Sequence, residues 1–169
     1  MADKFLKSLA DGVLKIGETE LDVAVLEDGT KVIGHNAVFR ALGREPRGNS
    51  RRDQIPAFMD AKNLQSLISS ELQGVIRQVP YLDKNKNKKE GFNAEILPLV
   101  ADLYLKAREQ GVLIPQQIPT AQKAEMLVRS LARIGITALV DEATGYQYER
   151  AADALKILLE KYLNKEHAV

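Results

Sequence analysis

The chain has 169 residues, 45% hydrophobic and 28% charged, with 24 basic against 23 acidic side chains and a formal net charge of +1. It can bury a real core, but the charge balance excludes a strongly basic nucleic-acid binder and leaves only a local basic patch. There is no cysteine, and the only two histidines, His35 and His167, lie far apart, so disulfides, thiolate metal sites and zinc are not expected.

Residues 1–10 read as a short helical arm with Phe5, Leu6 and Leu9 on one side. They contain no apolar core of signal-peptide length, and no run in the chain approaches the roughly 20 apolar residues of a membrane span. The expectation is a soluble, cytoplasmic protein with no membrane partner. From Val13 the pattern becomes strand-like. Val13, Leu14 and Ile16 precede Gly17-Glu18, and Leu21, Val23 and Val25 then alternate with Asp22, Ala24 and Leu26. Asp28-Gly29 is a hairpin signal, because this pair accepts the positive φ angles of a tight turn. Lys31–Ile33 is the return strand. A short helix over Ala37–Leu42 follows, stopped by Gly43.

Val38, Phe39 and Leu42 are placed to pack this helix on the hairpin. Short helices ending in Ala-Leu-Gly also occur in helix-turn-helix and winged modules, and a packed helix can still present Arg40 and Arg44 outward. The stretch 44–54 is a loop, rich in proline, glycine, asparagine and serine. Arg40, Arg44, Arg47, Arg51 and Arg52 face Glu45 alone, a local charge of +4 over 40–52. The planar donor fork of arginine suits phosphate. The alternatives are a solvated loop and an acidic protein partner.

A mostly helical remainder begins at Ile55-Pro56. One turn is expected at 57–61. A helix capped by Asn63 or Ser66 should run to about Ile76, with Leu67, Ile68, Leu72 and Val75 inward. Val79–Leu82 and Gly91-Phe92 read as two short strands flanking a mobile tip with Lys84, Lys86, Lys88 and Lys89. That tip is either a solubilising loop or a second phosphate-contacting finger. Asn93 can cap a helix to about Glu109, ended by Gly111. Thr120 can cap the next, with Ala124, Leu127, Val128, Leu131 and Ile134 on its apolar face and Gly135 at its end. Ile136–Ala143 then reads as a short turn with Leu139 and Val140 inward, so that 131–147 makes a buried corner between helices. A last amphipathic helix is expected over about 149–164, with Ala151, Leu155, Leu158, Leu159 and Tyr162 on one side.

No phosphate-cradling glycine loop and no nucleophile elbow occurs. His35 reads as a cap or a surface group. Asp141 and Glu142 read as acceptors of backbone or arginine hydrogen bonds, with Arg133 or Arg150 as partner; acid–base chemistry by the pair is the alternative. No enzymatic role and no cofactor or metal is expected. The fold class is α+β, with a β-hairpin, short helix and basic loop in 1–54 and a mainly helical domain with a small hairpin in 55–169.

The segment Arg133-Ile-Gly-Ile-Thr-Ala-Leu-Val-Asp-Glu-Ala-Thr-Gly-Tyr-Gln147 resembles the signature of the P-sixty-three-C domain family of prophages and mobile elements, related strings of which occur in phage antirepressors. Further agreement lies in Pro56–Leu64, Ile96–Pro98, Tyr104–Arg108, Gln122–Met126 and Val32–Gly43. The resemblance makes Gly135, Asp141, Glu142, Thr144, Gly145, Tyr146 and Gln147 signature residues and implies a phage-type regulator. DNA is then the expected partner, bound by the arginines of 40–52 and the lysines of 84–89. The alternative is a module that binds a host or phage protein without touching DNA. A homo-oligomer is compatible with either.

Overall fold

The computed structural model describes residues 5–47 and 55–146, together with 157, 159 and 160. Five strands, β1 (Leu6–Ile16), β2 (Thr19–Leu26), β3 (Lys31–Gly34), β4 (Val79–Leu82) and β5 (Lys88–Asn93), close into a barrel in the order β1-β2-β3-β5-β4. Neighbouring strands are antiparallel except β4 with β1, where Leu6 pairs with Tyr81 and Lys7 with Leu82 in parallel. Closure removes the free edges that an open sheet would present.

Local chemistry sets the connections. Gly17, at φ +60°, starts the two-residue turn between Ile16 and Thr19. At the second hairpin only Gly29 has a positive φ, +89°, while the Asp28 carboxylate accepts the Thr30 amide at 2.9 Å. That is a longer loop with one left-handed glycine rather than a turn with two positive φ angles. Residues 6–10 belong to β1, not to a helical arm. The irregular register between Ser8 and Ala10 hid the strand period in the sequence.

β2 carries apolar residues on both faces because both faces are covered. Ala24 and Leu26 point into the barrel with Val32 of β3 and Tyr81 of β4, and Leu6 and Val79 pack beside them. Ile33 and Phe92 take the opposite phase and face outward. They are covered by α1 (His35–Ala41), which ends at Gly43, φ +70°. Phe39 of α1 stacks on Phe58 at 5.1 Å between centroids, and Phe58 lies 5.5 Å from Phe92. At Gly91 an added Cβ would stand 2.7 Å from the Ile33 carbonyl oxygen, so only glycine fits this strand crossing.

Between α1 and β4 the expected helix to Ile76 is two short pieces. A 3₁₀ segment spans Lys62–Leu67, and α2 (Ser70–Gln73) is capped by Ser69, whose hydroxyl accepts the Leu72 amide at 3.1 Å. Asn63 instead donates to the Val112 carbonyl and the Gln117 side chain. α3 (Ile96–Glu109) buries one stripe, Ile96, Leu97, Val100, Ala101, Leu103, Tyr104 and Ala107, and ends at Gly111, φ +69°. Asn93 sits before it, accepting the Glu95 amide at 2.9 Å.

α4 runs Ile118–Thr144, straight through Gly135. The chain divides into two compact units, Met1–Ser130 and Leu131–Val169, so the strands at 79–93 and those at 6–34 share one unit and the expected division at 54/55 falls inside it. In the first unit α4 buries Thr120, Ala121, Ala124 and Leu127. In the second, no described residue is buried: Ile136 is 59% and Leu139 61% exposed. The expected buried corner is therefore an exposed helix with a glycine end at Gly145, φ +73°. A glycine inside a helix costs only about 1 kcal/mol relative to alanine, so Gly135 does not stop it. The last expected helix lies outside the described residues except for Ile157, Leu159 and Glu160, all exposed.

Candidate functional site

One open end of the barrel is a cleft of about 720 Å³. The alternation that turns Ala24 and Leu26 inward also turns Asp22 inward, one step nearer the end of the strand. Asp11, Asp83 and Glu90 join it, against Lys88 and Lys89, so four carboxylates face two lysines. Asp11 accepts hydrogen bonds from the Ser8 hydroxyl and, at 2.9 Å, from the Lys84 amide. These bonds, the Ser8 one foremost, hold its pKa below the usual carboxylate value. The Tyr81 side chain rises from the barrel core into the cleft. Burial pushes its hydroxyl pKa up, and the charges of Asp11, Asp22 and Asp83 push it the same way.

His35 lines the same cleft from the start of α1 and stacks on Phe92 at 5.5 Å. Gln78 Nε2 donates to His35 Nδ1 at 2.7 Å, which assigns the proton to Nε2, and that nitrogen donates to the Arg47 carbonyl oxygen at 2.8 Å. So His35 is a structural tie. It fastens the arginine segment to the approach of β4.

The basic residues expected to contact phosphate have different fates. Arg44 turns inward: its Nη1 donates to the Ala57 carbonyl and to the Tyr104 hydroxyl, both at 3.2 Å. The Tyr104 hydroxyl donates in turn to the Phe58 carbonyl at 2.5 Å. Burial raises the Tyr104 pKa and Arg44 opposes the shift. Arg44 is therefore a core tie, not an outward donor. Arg40 is exposed and lies along β2, its Nη2 3.4 Å from the Glu20 carbonyl oxygen. Arg47 is exposed; Arg51 and Arg52 lie outside the described residues.

The lysine tip is an ordered turn. The Asp83 carboxylate accepts the amides of Asn85 at 2.9 Å and Asn87 at 2.8 Å, its carbonyl accepts the Lys86 amide, and Lys86 takes φ +65°. This is the self-bonding by which aspartate shapes a turn. Lys84 and Lys86 on the turn and Lys88 and Lys89 at the start of β5 are all exposed, with Lys88 Nζ 4.6 Å from the centre of the Phe5 ring. The carboxylate that fixes the turn was present in the sequence at the start of the lysine run.

The signature residues lie on the second unit. Gly135 and Asp141 are half-buried, Glu142 and Tyr146 exposed, and the Thr144 hydroxyl donates to the Val140 carbonyl at 2.8 Å. Gln147 lies outside the described residues. Among the described residues no group of three or more histidines and carboxylates is placed to hold a metal, and no helix is long and apolar enough to cross a membrane. No protein-family model, curated protein or solved structure matches the chain.

Proposed function

We propose that the chain is a DNA-binding regulator of the phage or mobile-element, antirepressor-like kind, acting in the cytoplasm. The observation that carries this reading is the rigid lysine turn. The ammonium groups of Lys84 and Lys86 on a turn fixed by Asp83, and those of Lys88 and Lys89 at the start of β5, lose less freedom on meeting a phosphate row than they would on a free loop. Arg40 and Arg47, also exposed, add to the positive surface. The resemblance of 133–147 to antirepressor strings supports the same class. Lysine contacts to phosphate give affinity without sequence choice, and affinity falls with salt by about 0.9 log units per contact per log unit of salt.

The test is titration of two unrelated duplexes at two salt concentrations with wild type and with the pair Lys84→Ala and Lys86→Asn. Asparagine is chosen because it tolerates the positive φ at 86. The pair should weaken binding to both duplexes alike and lower the salt slope by nearly two contacts' worth. No binding by wild type at about 50 mM salt would sink the DNA reading. A second reading, a module for a host or phage protein, is favoured by the exposed apolar side chains of Ile134, Ile136, Leu139, Val140 and Tyr146. It moves ahead if wild type binds neither duplex.

A further inference from the structure

We infer that the barrel mouth is a binding site for an organic cation, an alkylammonium or guanidinium group held between the Asp22 carboxylate and the Tyr81 hydroxyl. Tyr81 as a whole residue is 5% exposed, and among the described residues its hydroxyl has no hydrogen-bond partner, although Tyr81 lines the cleft. The protein itself leaves this hydroxyl unpaired, so at the floor of an open cleft its partner comes from outside, as water or as a ligand that displaces the water. Asp22 is exposed in the same cleft, likewise with no hydrogen bond or ion pair among the described residues. Asp11 and Asp83 already accept backbone amides, which leaves Asp22 and Glu90; of these Asp22 has the inward phase of Ala24 and Leu26, whereas Glu90 has the outward phase of Phe92.

The sign of the ligand follows from the lining. Four carboxylates against two lysines disfavour phosphate and carboxylate ligands. Burial first, and then the negative charges of Asp11, Asp22 and Asp83, push the Tyr81 hydroxyl pKa up, so the field that reaches the hydroxyl is negative. A compact metal ion lacks its set of three ligands among the described residues. An organic cation needs no such set. It needs one carboxylate, a hydroxyl oxygen as second acceptor, and room. The room is there: Gly34 beside Asp22 presents no side chain, and a Cβ at Gly34 would stand 3.6 Å from that of Asp22.

Two sources offer this chemistry, a free polyamine and a basic side chain of a protein segment. The test titrates the full chain, without DNA, with spermidine and separately with acetyl-Gly-Arg-Gly-amide, by calorimetry. One saturable site is expected for at least one probe. Asp22→Asn should weaken it about tenfold or more and Tyr81→Phe about fivefold, as loss of a charged and a neutral hydrogen bond. Tyr81→Phe keeps the ring in the core and removes only the orphan hydroxyl, so its melting temperature without ligand should equal or exceed that of wild type. Spermidine binding alone assigns the free polyamine; peptide binding alone assigns a basic segment. Failure of wild type to bind either probe, or unchanged affinity in both variants, overturns the proposal.

Discussion

α3 and the second half of α4 are similar in apolar content, yet α3 buries seven residues and no residue from 131 to 144 is buried. Spacing does not separate them. Ile96, Val100, Leu103, Tyr104 and Ala107 recur at three- and four-residue steps, so one stripe meets the layer over the barrel. Ile136, Leu139, Val140 and Ala143 recur at the same steps, and all four are exposed. Apolar content and an apolar stripe therefore overstate burial; a neighbouring layer is needed as well.

The largest expected effect tests this directly. Leu97→Ala, in the core, should cost about 2–5 kcal/mol by removing packed methyl groups and leaving a cavity. Leu139→Ala, at an exposed site, should change stability by less than about 0.5 kcal/mol. Urea unfolding of both variants measures the pair. Equal losses would mean that the exposed helix is covered in solution, and the contrast would fail.

The next effect concerns polar groups rather than apolar ones. Tyr104→Phe should cost about 1–3 kcal/mol, because it leaves the Phe58 carbonyl and an Arg44 N–H without their partner in a buried place. Lys86→Asn, on the exposed turn, should cost less than about 0.5 kcal/mol. Arg44 and Lys86 look alike in the sequence as members of basic runs. If Tyr104→Phe melts like wild type, Arg44 is not a core tie and returns to the surface set.

What the sequence revealed follows the same physical line. The hairpin at Asp28-Gly29, the stop at Gly43, and the stripe of α3 are local signals, and the structure has each of them, whereas the turn at Gly17 joins two strands that the sequence did not separate. Barrel closure was not legible, because it rests on β4 meeting β1 across more than seventy residues of chain. The continuity of α4 is hidden in the sequence because Gly135 has the chemistry of a helix terminator, yet the helix runs through it. The cleft was not legible: Leu21, Val23 and Val25 look like the apolar row of β2, whereas Ala24 and Leu26 are the residues that turn into the barrel and bring Asp22 with them. Tyr81 gave no sign, since its value comes from a hydroxyl that finds no partner only once the barrel is closed.

The smallest effect lies at the seam where β1 meets the lysine turn, between the rigid barrel and the exposed surface. Asp11 joins Ser8 and the Lys84 amide there, and both bonds favour its ionised form. Its folded pKa lies below the unfolded one. The stability it contributes is thus present above the ordinary value of 3.8 and is lost as pH falls from there through the folded pKa. Asp11 is exposed, so screening limits the contribution to about 0.5 kcal/mol or less. Unfolding free energies measured from about pH 5 to about pH 2 should therefore converge for wild type and Asp11→Asn at the acid end and differ slightly above it. The amide exchange rate at Lys84 gives a sharper readout, because that hydrogen sits on the Asp11 carboxylate and should exchange faster in Asp11→Asn. Unchanged exchange at Lys84 would mean that the turn is held by Asp83 alone and that the seam between β1 and β4 does not depend on Asp11.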